Sequence, residues 1–480
     1  MVNKDKKNEK GMSRRQFVTG LGASVALFSI VPRHVLGKGY IPPSDKLNVA
    51  GVGVGGRGRS VLQGIYNGGT ENIVALCDVD DARAEATYKD YPNAKRYKDF
   101  RKMLEAEKNN IDAVMVATPD HTHAVIAMAA MQLGKHVYVE KPLTHNIYEA
   151  RMLTEMARKN KIVTQMGNQG SSGEGVRQMT EWIQAGVIGD VTNVHAWTNR
   201  PIWPQGLPTP TEKVPVPKTL DWELWLGPAN FRDYNPIYVP FGWRGWWDFG
   251  TGALGDMACH IIDPVFRALK LGYPISVEAS VTGVWTNGFK PANVTDSCPS
   301  SSNIHLEFPA REGMPAVKMH WYDGGIKPPR PEELKDDEPM GDWNGGVIFE
   351  GKRGKIMCGC YGANPTLLPT SEMAYFNAEK LKSLPRVEGN DRGHQTSWVA
   401  ACKGGAPASS NFDYSGPLTE TVLMGNLALR SLALTWEKDG KKISGDKKLL
   451  WDGQNMRITN FEPANQFVKR EYRNGWSLGV

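Results

Sequence analysis

The sequence predicts an α/β protein in two parts. A doubly wound parallel sheet comes first, and a C-terminal α/β domain built on a large, mainly antiparallel sheet follows. Three observations predict this. From Lys46 to about residue 170, short β-branched apolar runs alternate with helical stretches, the pattern of a parallel sheet with helices on both faces. Those runs end in polar or turn residues, at Gly53, Asp78, Thr118, Glu140 and Gly167, where open α/β sheets bind ligands. Beyond about Val191 the texture becomes strand–turn–strand. At 480 residues the chain is too long for one ordinary core, which suits two domains.

Residues 1–38 read as a leader. A basic start containing Ser13-Arg14-Arg15-Gln16-Phe17 runs into an apolar stretch, Val18 to Val31, of 14 residues. A bilayer span needs roughly 20, so no transmembrane helix is expected. The paired arginines resemble a twin-arginine export signal, which makes a periplasmic protein the expectation. Val31-Pro32-Arg33-His34 is a poor cleavage site, so retention of the leader as an anchor stays open. The leader holds eight Lys/Arg against two Asp/Glu, which accounts for the whole net charge of +6. The remainder is near neutral and offers no basic face for nucleic acid. Six scattered cysteines, with Cys358-Gly-Cys360 the only close pair, lack zinc or redox spacing. No metal site is expected.

The Rossmann-type half is read over residues 45–170. Lys46–Val52 is a strand running into Gly53-Val-Gly55-Gly56-Arg57-Gly58. G-x-G-x-x-G fits in two registers, and Gly53/Gly55/Gly58 leaves a full strand before a helix starting near Arg59. A second strand, Ile73–Cys77, ends in Asp78, 20 residues after Gly58. Glycines let the backbone approach a pyrophosphate at a helix N-terminus, and an acid at that distance takes ribose hydroxyls. A carboxylate repels a 2′-phosphate, so NAD is expected over NADP, with Arg57 and Arg83 as counter-arguments. Alternatively, Asp78 caps the following helix. The apolar strand Ala113–Ala117 then ends in Thr118-Pro119-Asp120-His121-Thr122-His123, and Val137–Val139 ends in Glu140-Lys141-Pro142. Pro142 cannot donate to a ladder and should stop that strand. A last strand, Ile162–Met166, ends at Gly167-Asn168-Gln169.

Together GxGGRG, Cys77-Asp78-Val79-Asp80, Thr118-Pro119-x-x-x-His123, Glu140-Lys141-Pro142 and Gly167-Asn168-Gln169 resemble the glucose-fructose oxidoreductase/inositol dehydrogenase (Gfo/Idh/MocA) family, in its secreted subgroup. The resemblance covers nearly the whole chain after the leader. It implies that Gly53, Gly55, Gly56, Arg57, Gly58, Asp78, Thr118, Pro119, His123, Glu140, Lys141 and Asn168 bind the cofactor. It also implies that Lys141 lies beside nicotinamide and substrate, and that the C-terminal sheet makes a homo-oligomer plausible.

The rest, residues 171–480, is read as the substrate and oligomerisation domain. The segments 303–308/316–322 and 345–351/354–358 read as hairpins, and Val191–Trp197 and Ser276–Trp285 as strands. Residues 200–248 are a Pro- and Trp-rich insertion, too aromatic to be disordered. Most of its tryptophans should be local core, with one or two lining a sugar site. Trp243, Arg244 and Trp247 are the candidates there, with His394 further on. After Phe249-Gly-Thr-Gly-Ala-Leu-Gly, a helix carries Asp256, His260 and Asp263 at i, i+4 and i+7, hence on one face. His260 suits proton transfer near neutrality, and Asp256 one turn away is expected to orient it. This D-x-x-x-H spacing matches the family's catalytic pair, so Lys141, Asp256 and His260 are the expected catalytic residues.

The reaction these residues point to is hydride transfer between a tightly held nicotinamide and a secondary alcohol of a sugar or glycoside. An NAD-dependent glycoside hydrolase, acting by transient oxidation and elimination, is the alternative. A sugar- or cofactor-binding protein without catalysis is disfavoured by the joint presence of Lys141, Asp256 and His260.

Overall fold

A computed structural model of the chain describes residues 45–480 except 293. The twin-arginine leader expected over residues 1–38 lies outside the described residues. Six strands, β1 (Asn48–Val52), β2 (Asn72–Cys77), β3 (Lys95–Tyr97), β4 (Ala113–Val116), β5 (His136–Val139) and β6 (Thr164–Met166), form one sheet in the order β3-β2-β1-β4-β5-β6. Every pair is parallel. Helices α1 (Arg57–Tyr66), α2 (Asp81–Asp90), α3 (Phe100–Glu107), α4 (Asp120–Gln132) and α5 (Ile147–Asn160) connect them. Buried on both faces, β4 carries no polar residue at all, as a central parallel strand should. The strand order reverses between β1 and β4, which places a ligand crevice at their carboxyl ends.

Helix α1 begins at Arg57 rather than near Arg59, because Gly56 with φ 53° already turns the chain into the helix. The N-cap of α2 is Asp80, whose carboxylate accepts from the Ala82 amide at 3.1 Å. Asp78 is therefore not the capping residue.

The C-terminal half contributes α6 (Glu174–Gln184), β7 (Val191–Thr198), α7 (Trp222–Leu226), α8 (Gly252–Ile261), α9 (Asp263–Ala268), β8 (Ser276–Val281), β9 (Ser302–Phe308), β10 (Val317–Tyr322), β11 (Gly345–Gly351), β12 (Gly354–Gly359), β13 (Thr366–Leu368), α10 (His394–Cys402), α11 (Phe412–Ser431), β14 (Leu449–Asp452) and β15 (Arg457–Ile458). Their nine-stranded sheet has the order β13-β12-β11-β7-β10-β9-β8-β14-β15. Only β7 and β10 run parallel. Both expected hairpins form, as β9–β10 and β11–β12. The strand expected over Ser276–Trp285 stops at Val281, and Trp285–Asn287 joins a separate two-stranded ribbon. Gly283 interrupts the run, as an interior glycine weakens a strand.

One apolar core crosses the two halves, from Val114 and Val139 through Ala258 and Leu423 to Val277 and Leu306. The 20-residue helix α11 packs against α5, α8 and β8, and Glu420 on it accepts both arms of Arg151 from α5, at 2.8 and 2.7 Å. The insertion has a smaller core of its own, which includes Trp222, Trp225, Tyr238, Trp246 and Phe249. Trp222 stacks on Trp225 with centroids 4.7 Å apart, and Trp225 meets Phe249 edge-on at 4.8 Å. At about 0.5–1.5 kcal/mol per aromatic pair beyond area burial, such contacts order a segment with little regular structure. Among the described residues, no helix is long and apolar enough to cross a membrane.

Candidate active site

A cavity of about 470 Å³ opens at the carboxyl ends of β1, β2, β4 and β5 and extends to α8 and the insertion. Its floor is the glycine loop. Gly53 has φ 73°, and its amide donates to the Cys77 carbonyl at 2.9 Å. A Cβ there would stand 2.7 Å from the Thr118 nitrogen, and one on Gly58 would stand 1.9 Å from the Gly53 carbonyl oxygen. These contacts select the Gly53/Gly55/Gly58 register, since Gly51 lies inside β1. Gly53, Gly55 and Arg57 line the cavity, whereas Gly56 and Gly58 serve the loop from behind.

Asp78, at the end of β2, accepts from the amides of Val54 at 2.8 Å, Gly55 at 3.2 Å and Asp80 at 3.0 Å. Burial pushes its pKa up against these hydrogen bonds. A carboxylate has about four acceptor sites, so a site remains for a ribose hydroxyl. The fit of the loop to a dinucleotide rests on this: a cradle that any Cβ would fill, a helix N-terminus behind it, and an acid at the next strand end. Thr118 and Pro119 continue the wall from the end of β4.

Arg57 Nε donates to Glu140 at 3.0 Å, and its Nη2 donates to Gln169 Oε1 at 3.3 Å. One guanidinium thus ties α1 to the ends of β5 and β6, and Gln169 rather than Asn168 reaches the cavity. Asn168 is fully buried and donates to the Cys259 carbonyl at 3.4 Å. It anchors α8 instead. His123 also leaves the expected set, because its Nδ1 lies 2.9 Å from the Pro142 carbonyl and its Nε2 2.8 Å from that of Thr118. It braces the ends of β4 and β5 from within the core.

Lys141, just past β5, projects into the cavity. Its Nζ donates to Asp256 Oδ1 and to the Asp256 carbonyl, both at 2.7 Å. An ammonium has three donors, which leaves one for a substrate oxygen. Arg244 Nε donates to the same Oδ1 at 3.1 Å, with its guanidinium 4.1 Å from the Phe241 ring centroid and 4.2 Å from that of Trp243. Burial pushes the Asp256 pKa up, but the charges of Lys141 and Arg244 outweigh it and hold the carboxyl far below its usual range. The carboxylate stays charged.

Asp256 was expected to orient His260. The two do share one face of α8, but the two cations capture the carboxylate, and His260 Nδ1 is buried without a hydrogen-bond partner. Asp256 therefore positions Lys141. Burial, and then the Lys141 charge, push the His260 pKa well below its usual value, so the ring is held neutral. It packs edge-on against Tyr361 at 4.6 Å. Asp263 starts α9 and accepts from the Tyr414 hydroxyl, away from the cavity.

The substrate-side candidates divide. Trp243 and Arg244 line the cavity. Trp247 faces a different cavity, beside Arg430, because the chain reverses between Trp246 and Gly250. His394 is completely buried. Its Nδ1 lies 2.7 Å from Ser172 Oγ and its Nε2 2.8 Å from the Met166 carbonyl, and burial pushes its pKa down to about 4. It is a packing residue.

Besides Gln169 and Phe241, three wall residues outside the expected set stand out. Asp120, first in α4, is buried, accepts from Thr251 Oγ1 at 2.6 Å, and has its pKa pushed up to about 7 by burial. It lay in view inside Thr118–His123, and buried carboxyls with shifted pKa values mark functional sites. Tyr361 holds φ 63°, a left-handed conformation that non-glycine residues adopt at a cost, and nothing around it in sequence announced this. Trp476 comes from the C-terminal tail, over 300 residues from the Rossmann strands whose ends it faces.

Residues 47–168 match an oxidoreductase family's NAD-binding Rossmann fold, and residues 175–284 match the same family's C-terminal alpha/beta domain. The chain belongs to the Gfo/Idh/MocA family. Among its Gfo/Idh/MocA relatives, inositol 2-dehydrogenase of Salmonella typhimurium is 31% identical over 148 residues, 30% of this chain and 43% of that protein. Glycosyl hydrolase family 109 protein 1 of Shewanella sp. strain MR-4 is 26% identical over 208 residues, 38% of this chain and 45% of that protein. The chain thus spans less than half the length of these curated relatives. The WlbA dehydrogenase from Bordetella pertussis, solved with NADH and UDP-GlcNAcA, superposes with a TM-score of 0.55 at 15% identity over 83% of this chain and 98% of that one, which shows a shared fold.

Proposed function

We propose that the protein is an NAD-dependent oxidoreductase that moves hydride between a resident nicotinamide dinucleotide and a secondary alcohol of a sugar or glycoside. The observation that carries this is the meeting of Lys141, Asp256 and His260 in the cavity that also holds Asp78 and the glycine loop. The dinucleotide, when bound, supplies the hydride acceptor. Gly53, Gly55, Asp78 and Thr118 would hold it. The free N–H of Lys141 hydrogen-bonds the reacting hydroxyl oxygen, and the adjacent Arg244 adds positive charge where an alkoxide develops. Neutral His260 takes the hydroxyl proton. Phe241, exposed at the cavity wall, offers an aromatic face to the C–H side of a sugar ring, and the buried Trp243 backs that wall through Arg244. The carboxylate of Asp78 disfavours a 2′-phosphate, which supports NAD over NADP.

The leader sequence supports export to the periplasm. No exchanging pool of NAD is expected there, so the cofactor would be recycled in place, by a second sugar or an outside electron acceptor. The likeness to a glycosyl hydrolase family 109 protein supports the second reading, elimination of the aglycone after transient oxidation. Incubation with aryl glycosides and no added NAD separates the two. A ketosugar with intact aglycone supports the oxidoreductase, and phenol release supports the glycosidase. If neither a ketosugar nor phenol appears and bound NAD is never reduced across a glycoside panel, the catalytic reading fails.

A further inference from the structure

The Rossmann half forms only the floor of the dinucleotide cleft, and its adenosine side is closed by two distant segments. Thr219–Asp221 of the insertion adds to the loop after β2. The Asp81 amide donates to the Thr219 carbonyl at 3.1 Å, the Asp221 amide donates to the Val79 carbonyl at 2.9 Å, and Asp80 and Leu220 form an antiparallel bridge. Lys98 Nζ donates to the Thr219 carbonyl at 3.0 Å from the far side. Val79 and Asp80 directly follow Asp78, so the insertion is laid across the position where the adenosine ribose is read.

The C-terminal tail fastens that insertion. Arg473 Nε donates to the Gly227 carbonyl at 3.1 Å and its Nη2 to the Glu223 carbonyl at 2.8 Å, so it binds the C-cap of α7 and adds a second donor to a carbonyl that already accepts from the Gly227 amide, as a cation at a helix C-terminus can. Its amide donates to the Pro228 carbonyl at 3.1 Å. Three residues on, Trp476 lines the cavity, tilted against Phe100 at 6.1 Å with Arg101 stacked at 4.5 Å on its ring. A Cβ on Gly227 would stand 2.8 Å from Thr122 Cγ2 and 3.8 Å from the Trp476 ring, so insertion, tail and α4 close on one another without a gap. Beyond it, Gly479 accepts from Gln132 Nε2 at the end of α4.

We propose that Thr219–Pro228 and Arg473–Trp476 form a two-piece clasp over the adenosine end of the cleft, with Trp476 as the wall for the adenine ring, and that this clasp makes the dinucleotide a resident rather than an exchanging cofactor. The clasp rests on the dinucleotide reading of the glycine loop. Release requires the tail to lift off α7 and the insertion to peel from Val79–Asp81. Dissociation is then slow because several hydrogen bonds break together, and affinity differences of this kind reside mostly in the off-rate.

The test uses the purified full-length chain and NAD itself. Dinucleotide content after gel filtration and the rate of NAD loss into excess buffer are measured for the unaltered protein, Arg473→Ala, Trp476→Ala and Arg457→Ala. The last removes an exposed pair with Glu462 elsewhere in the C-terminal segment. The clasp predicts stoichiometric NAD in the unaltered protein and in Arg457→Ala. In Arg473→Ala and Trp476→Ala it predicts loss of NAD on the column, with release at least tenfold faster, while added NAD still binds. Equal release rates across the series, or rapid exchange in the unaltered protein, overturn the clasp and leave the cofactor reading intact. Absence of NAD binding even on titration of the unaltered protein overturns both. Should Arg473→Ala fail to fold, Trp476→Ala decides alone.

Discussion

The floor and the roof of the cavity are built on opposite principles. The floor is backbone: amides of Val54 and Gly55, a left-handed Gly53, and a glycine at position 58 with no room for a methyl group. The roof is side chain: aromatic rings of the insertion and tail, held by arginine forks and short backbone bridges. A backbone floor can be specified by a few residues at fixed spacing, because each glycine answers a local steric demand. A side-chain roof is specified by what packs against what, across up to several hundred residues of sequence. Lys141, Asp256 and Arg244 stand where the two meet.

The largest expected effect is at that junction. Lys141→Met should reduce turnover by about 10³-fold, within the range that positioned proton and charge groups contribute, while NAD titrates with unchanged affinity. A near-native rate would remove Lys141 from the chemistry. Asp120→Asn should change how stability responds to pH. The folded-state pKa of Asp120 is raised to about 7 by burial over an unfolded value near 3.9, so the folded state holds the proton across that window while the unfolded state releases it. Stability should therefore fall as pH rises from about 4 to 7 in the unaltered protein, by on the order of 4 kcal/mol from this group. The amide variant should lack that fall. Parallel melting curves for the two proteins from pH 4.5 to 7.5 would contradict the assignment.

On the floor, Gly58→Ala forces a Cβ against the Gly53 carbonyl and should weaken NAD binding roughly a hundredfold, with some loss of stability from the strain. Isothermal titration reads the first and thermal melting the second. On the roof, Trp243→Ala should raise the sugar KM severalfold and leave NAD affinity alone, consistent with about 1 kcal/mol for one aromatic contact, and should lower the melting temperature because Trp243 is buried in the insertion core. If the two variants disturb the same constant, floor and roof are not the separate devices described.

Strand and helix alternation, the register of the glycine loop and the hairpins of the second sheet were all legible, because each follows from apolar periodicity and turn residues within about ten positions. The Asp256/His260 face of α8 was legible as a helix face, but not its wiring. Spacing brings two side chains to one face, and the cations that arrive from β5 and the insertion then choose the partner. His123, Asn168, Trp247 and His394 were misplaced for a related reason. His123 and Asn168 sit directly beside the wall residues Thr122 and Gln169, Trp247 turns to another cavity and His394 into the core, and which way each side chain faces depends on local reversals that a pattern of residue types does not encode.

The sequence by itself determined a dinucleotide-type parallel sheet, an acid after β2, a lysine stopped in place by Pro142, and an acid–histidine helix turn. All are local demands of backbone sterics and strand or helix periodicity. Only the tertiary structure decided that Asp256 serves Lys141, that Asp120 and Tyr361 reach the cavity, and that a tryptophan near the C-terminus lines it too. Those outcomes depend on which charges and rings are buried together, a property of the packed molecule rather than of any segment of it.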